Sequence, residues 1–173
     1  IGAPTRVQIM RTGADWFHPG RHGTICLGPK KVLGVFGELH PRVLEAMDVK
    51  GPAMAFTLWP AEVPMPRKSG ATRAALDISD LQAVERDFAF VVDTGVEALT
   101  LINAAMGADK ALIADVRVFD EFVGGNLGEG KKSLALTVQM QPKDQTLTEK
   151  DIEAVSAKVV EKVTKASGGS LRG

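Results

Sequence analysis

The chain has 173 residues, with 21 Lys and Arg against 21 Asp and Glu, so its formal charge at pH 7 is zero. Its 45% hydrophobic share supports folded cores, and no apolar run approaches the roughly 20 residues of a membrane span. Balanced charge excludes a protein that holds a nucleic-acid duplex by phosphate attraction alone, and the lone Cys26 excludes an intrachain disulfide and a Cys-based metal site.

No signal peptide is recognised, and a lone thiol suits a reducing cytoplasm. The start at Ile1 rather than Met leads us to expect a piece of a longer protein. In chain order, Val7–Met10 is a candidate strand, and Trp16-Phe17-His18-Pro19-Gly20-Arg21 reads as a rigid turn. Thr24–Leu27 and Val32–Phe36 read as strands joined by a hairpin through Gly28-Pro29-Lys30-Lys31. Pro41 suits the first turn of a helix over about Arg42–Met47, with Val43 and Leu44 facing inward. Met54, Phe56 and Leu58 alternate as a further strand. Residues 1–59 thus form a strand-rich α/β unit, small for an independent core and expected to be truncated. Exposed sheet edges and self-association through them follow.

Pro60, Pro64 and Pro66, then Arg67-Lys68-Ser69-Gly70, mark residues 60–85 as a Pro-containing linker. Ala71–Leu76 is expected to be extended, and Ile78–Val84 leads into the second domain, residues 86–173. There the order reads β-α-β-β-α-β. The fold class is α+β: a ferredoxin-like βαββαβ sandwich with an open antiparallel sheet, preceded by the truncated α/β unit. Two helices cover one face of such a sheet, so the other is a binding surface.

Phe88, Phe90 and Val92 share the inner face of the first strand, with Asp87, Ala89, Val91 and Asp93 on the other. Thr94-Gly95-Val96-Glu97 fits a capping box for a helix carrying Ala98, Leu101, Ile102, Ala105 and Met106 and ending at Gly107. A second strand spans roughly Leu112–Val123, with Val116 and Val118 inward. Phe119 breaks that phase. A bulge near Val118–Phe119 would repair it, turning Phe119 into the core and Asp120 and Phe122 to the open face. A third strand points Leu134, Leu136, Val138 and Met140 inward and Ser133, Ala135, Thr137 and Gln139 outward. Thr148 caps the last helix with Asp151 in the capping-box position, and Ile152, Val155, Val159 and Val163 form its buried stripe. Gly168 or Gly169 ends it, and the final strand points Leu171 in and Arg172 out.

Gly125 to Ser133 nearly spells a phosphate-binding loop, but Lys132 stands where Ser or Thr must follow the first Lys, and a strand rather than a helix comes next. A Gly-rich hairpin turn is the better reading, with Lys131 and Lys132 left as candidates for contact with an RNA backbone. His18 and His22 are four apart, but Pro19 and Gly20 forbid the helix that would align them on a metal. Asp120 and Glu121 point to opposite faces and make no acid–base pair. Ala89, Asp120, Phe122, Ser133 and Arg172 come from four strands and converge on the open face. They offer a small floor, an acceptor, a stacking ring, a hydroxyl and a cation, a set suited to splayed bases. From Arg86 to Gly173 there are 11 basic and 13 acidic residues, so such a face would read unpaired bases by stacking and hydrogen bonds rather than by charge.

Arg86-Asp87, Phe119-Asp120-x-Phe122-x-Gly124, Gly130-Lys131-Lys132-Ser133-Leu134-Ala135, Thr146-Leu147-Thr148 and Leu171-Arg172 together resemble the ferredoxin-fold anticodon-binding domain of phenylalanyl-tRNA synthetase. Upstream, His18-Pro19-Gly20-Arg21 and Gly34-x-x-Gly37-Glu38-Leu39-His40-Pro41 resemble the end of the catalytic-like domain in the bacterial β subunit of that enzyme. The family usually carries Tyr where this chain has Phe122, which removes a hydroxyl and keeps the stacking ring.

The resemblance implies that Ala89, Asp120, Phe122, Ser133 and Arg172 match the anticodon-reading positions. It implies phenylalanine tRNA as partner, and a catalytic α subunit in an α2β2 ligase of the cytoplasm. ATP and magnesium would be used by that whole enzyme and by no residue of this piece. The first unit would be a non-catalytic scaffold and subunit contact. The competing expectation is a ferredoxin-like module that binds a small molecule or a protein edge, burying the same face without needing Arg172 or Phe122. A free-standing enzyme lacks any Ser–His–Asp or Cys–His set to support it.

Overall fold

The structure is a computed structural model that describes residues 7–64 and 79–172. The expected extended stretch Ala71–Leu76 and the Pro66–Gly70 passage lie outside the described residues. The chain forms two compact units, Ile1–Ala74 and Ala75–Gly173.

In the first unit, β1 (Gln8–Met10), β2 (Phe17–Leu27), β3 (Lys31–Leu39) and β4 (Met54–Leu58) form an antiparallel sheet in the order β1-β2-β3-β4, with α1 (Pro41–Ala46) between β3 and β4 in sequence. The β2–β3 hairpin closes at Leu27 opposite Lys31, with Gly28 at φ 66°, a backbone shape that glycine takes without strain. The segment His18-Pro19-Gly20-Arg21, expected as a turn, lies inside β2. A register shift between Phe17 and His22 absorbs it, and the Gly20 amide donates to His18 Nδ1 at 3.1 Å. Pro41 opens α1, and His40 caps it by accepting the Arg42 amide on Nδ1 at 3.1 Å. Phe17, Cys26, Leu33, Val35 and Leu44 make a small core. Phe36 stands opposite Phe56, and Met54, Phe56 and Leu58 remain 76%, 71% and 52% exposed.

The second unit contains β5 (Val84–Asp93), α2 (Ala98–Met106), β6 (Ile113–Val123), β7 (Lys131–Met140), α3 (Glu149–Ser167) and β8 (Ser170–Leu171). Its sheet runs β6-β7-β5-β8 with every pairing antiparallel, the ferredoxin-like order expected from the element sequence. The unit begins before residue 86. The Ser79 hydroxyl donates to the Pro142 carbonyl at 2.7 Å and the Gln141 amide nitrogen to the Leu81 carbonyl at 2.8 Å, fastening residues 79–81 to the end of β7.

Alternation explains the core. Phe88, Phe90 and Val92 from β5 meet Leu134, Leu136, Val138 and Met140 from β7 under Leu101 and Ala105 of α2 and Ile152, Val155, Val159 and Val163 of α3. Thr148 accepts the Asp151 amide at 3.3 Å while its own amide donates to the Asp151 carboxylate at 2.9 Å, the expected capping box. Gly168 ends α3 at φ 67°.

Two expectations are corrected. The helix after β5 starts at Ala98 rather than behind Thr94, because the Thr94 amide is spent on the Gly130 carbonyl at 2.9 Å and Val96 closes a turn on Asp93. Phe119 is 55% exposed rather than core, since the bulge leaves it without a cross-strand partner. Leu171 stands opposite Phe90 on the inner face, as expected, and is still 45% exposed because β8 is a two-residue edge strand.

Candidate functional site

Directly opposed residues in antiparallel strands share a face, so the register maps the surface away from the helices. The bulge between Val118 and Asp120 decides what β6 shows there. A one-residue insertion inverts every later side chain, so Asp120 falls opposite Ala135 and Phe122 opposite Ser133. Ala135 is opposite Ala89, and the Arg172 amide donates to the Ala89 carbonyl at 2.7 Å. One row therefore crosses β6, β7 and β5 and ends on Arg172, one residue past β8: Arg172, Ala89, Ala135, Asp120. The next row is Ser170, Val91, Ser133, Phe122.

Strands are about 4.8 Å apart, so Arg172 and Asp120 stand roughly 14 Å apart across an alanine floor. Both are exposed. Phe122 is 45% exposed, and a Cβ built on Gly125 would lie 3.3 Å from its ring, so the loop glycine leaves that ring its place. Ser133 is on this face but only 4% exposed, recessed between Val91 and Phe122. Lys131 ends the face in an ion pair with Asp93 at 2.6 Å.

Lys132 does not join the others. It shares the helix-side face of β7 with Leu134, its side chain is 7% exposed, and it pairs with Glu121 at 3.4 Å. Its placement corrects the expectation of an RNA-backbone contact there, because alternation turns it inward and a carboxylate holds it.

Sequence reasoning left four open-face residues without a role. Thr137 donates to Asp87 Oδ1 at 2.7 Å, and Arg117 Nη2 donates to Glu85 Oε1 at 3.2 Å. Alternation had already turned Asp87 and Thr137 outward, but which residue meets which depends on register between distant segments.

The Gly-rich loop forms a short 3-10 turn at Gly125–Leu127 and runs into β7, so it offers no helix end to a phosphate. His22 Nδ1 lies 2.7 Å from the His18 carbonyl oxygen. No group of three or more His, Cys, Asp or Glu among the described residues is placed to hold a metal ion. No described helix is long and apolar enough to cross a membrane.

Residues 79–172 match the family model of the ferredoxin-fold anticodon binding domain, and residues 1–59 match the phenylalanyl tRNA synthetase beta chain CLM domain. The chain is 80% identical over 173 residues to the phenylalanine–tRNA ligase beta subunit of Ruegeria pomeroyi, covering 100% of this chain and 22% of the relative. It is 64% identical over 177 residues to that of Cereibacter sphaeroides, again covering 100% and 22%. It is 54% identical over 174 residues to that of Mesorhizobium japonicum, covering 99% and 22%. The chain thus spans about a fifth of the length of the curated relatives it matches.

Proposed function

The chain belongs to the ferredoxin-fold anticodon binding domain family as it occurs in phenylalanyl-tRNA synthetase beta chains, and we propose that its second unit reads the anticodon loop of phenylalanine tRNA on the open sheet face. The observation that carries this reading is the Arg172–Ala89–Ala135–Asp120 row with Phe122 beside it. A flat small-residue floor accepts an unstacked base. The Phe122 ring stacks a second, Asp120 accepts N–H groups from a base edge, and the Arg172 guanidinium stacks or donates. Ser133, opposite Phe122, offers a hydroxyl at the foot of that ring. Lys131, paired with Asp93 at the end of the face, would exchange that carboxylate for a backbone phosphate.

Discrimination comes from leaving Asp120 unpaired against a wrong base, at roughly 1–3 kcal/mol per lost partner. In the whole protein, this piece would serve a catalytic α subunit in an α2β2 assembly of the cytoplasm. That subunit would use ATP and magnesium to activate phenylalanine and charge the tRNA. The first unit would be a non-catalytic scaffold.

The test is titration of the chain with a phenylalanine-tRNA anticodon stem-loop and with the same stem carrying a scrambled loop. Preference for the first is expected. Equal binding of both, or none of either, would leave a ferredoxin-like interaction module as the better reading.

A further inference from the structure

Arg117 stands one row from Asp120 on the same strand and the same face, with the Phe119 bulge between them. Rows on a strand are about 7 Å apart, a span an arginine side chain covers. Yet the guanidinium is turned the other way. Its Nη2 lies 3.2 Å and 3.4 Å from the two carboxylate oxygens of Glu85. Glu85 belongs to the row Glu85–Gln139–Asp115, on the far side of Arg117 from Asp120. The pair therefore leans across β7 and draws the cation away from Asp120. Asp120 itself is exposed and has no hydrogen bond or ion pair among the described residues.

We infer that Glu85 is a positioning residue for base recognition: by holding Arg117 it keeps the Asp120 carboxylate free for a donor-bearing base edge. This rests on the anticodon reading above. An arginine fork beside Asp120 would occupy both carboxylate oxygens, and a base N–H would have to displace it. The Glu85–Arg117 pair is exposed, with side chains 49% and 58% accessible, so it is screened and exchangeable rather than a strong staple. Three further carboxylates stand around Arg117 on this face. Asp87 accepts from Thr137 at 2.7 Å, Asp115 lies in the row of Glu85, and Asp120 is the third.

The experiment uses the 173-residue chain and two variants whose exposed substitutions leave the fold intact. In Glu85→Gln, a crystal structure without RNA is expected to show Arg117 within hydrogen-bond reach of Asp120. Preference for the anticodon stem-loop over the scrambled loop is expected to fall about twofold to fivefold, the range for a competing exposed ion pair. Adding Arg117→Gln to Glu85→Gln is expected to restore it, a rescue that a merely structural role of Glu85 would not produce. Arg117 settling on Asp115 or Asp87, an unchanged preference in Glu85→Gln, or no rescue in the double variant would overturn the inference. A wild-type chain indifferent to loop sequence would overturn the anticodon reading, and this role of Glu85 with it. The RNA-free structure tells the two failures apart.

Discussion

The Arg172 amide donates to the Ala89 carbonyl at 2.7 Å, and this backbone bond brings the Arg172 side chain into line with Asp120 across the full width of the sheet. The two charges come from segments more than fifty residues apart in sequence, and only the two alanines of β5 and β7 separate them in the row.

Because that bond uses the Arg172 main chain, Arg172→Ala removes the guanidinium and leaves the strand in place. Thermal melts are expected to match wild type, while stem-loop affinity drops by about 1–3 kcal/mol, the range for losing a base-stacking partner. Phe122→Ala is expected to lose a similar amount. In the whole enzyme both would raise the tRNA KM with little change in amino-acid activation. Unchanged affinity in both variants would remove the open face from tRNA recognition.

The bulge at Phe119 sets the phase of β6. Phe119→Ala is expected to change stability by less than about 1 kcal/mol in urea unfolding, since the ring is 55% exposed. Phe90→Ala, at 0% exposure, is expected to cost about 3–5 kcal/mol. Deleting Phe119 outright would turn the bulge into regular pairing and leave Asp120 opposite Ala135 and Phe122 opposite Ser133, so loop-specific binding is expected to survive it.

Asp109 is held below the usual carboxylate range. Its hydrogen bond to Lys158 at 2.9 Å is the largest cause, with the Leu112 and Ala111 amides adding to it against partial desolvation. A depressed folded-state pKa stabilises the fold above the unfolded carboxyl pKa and loses that contribution as pH falls through the folded value. Asp109→Asn is therefore expected to lower stability by about 1 kcal/mol at pH 7. The gap to wild type should close in acid, as followed by thermal unfolding between neutral and low pH. A gap that persists below the folded pKa would show that the charge is not responsible.

Along β4, Met54 and Phe56 are 76% and 71% exposed, on an edge strand with one neighbour. Self-association of the chain is expected at high concentration, and Phe56→Glu should suppress it by placing a charge on that edge. Light scattering that gives a monomer mass for wild type across the concentration range would dispose of this.

Much of the second unit was legible in the sequence. The alternation of Phe88, Phe90 and Val92, and of Leu134 through Met140, named both the strands and the buried face. Thr148 and Asp151 announced the start of α3, because a capping box is complete within four residues. The same local logic misplaced the start of α2. Thr94 and Glu97 have the right spacing, but the Thr94 amide is taken by Gly130, a residue far along the chain. Phe119 was visible as a break in phase, and the need for a bulge followed from it. Its own exposure did not, since a bulged residue has no opposite strand to say where it belongs.

The sequence by itself determined the order of elements, the inner and outer sides of each strand in the second unit apart from Phe119, and the five residue types offered on its open face. These follow from hydrogen-bonding and periodicity over a few residues, which neighbours along the chain settle. The tertiary structure alone decided that Arg172 and Asp120 share a row, that Ser133 is recessed, that Lys132 is locked to Glu121 and that Glu85 holds Arg117. Each of those depends on strand register and on partners from distant segments, and no local pattern encodes a contact that exists only once the sheet has formed.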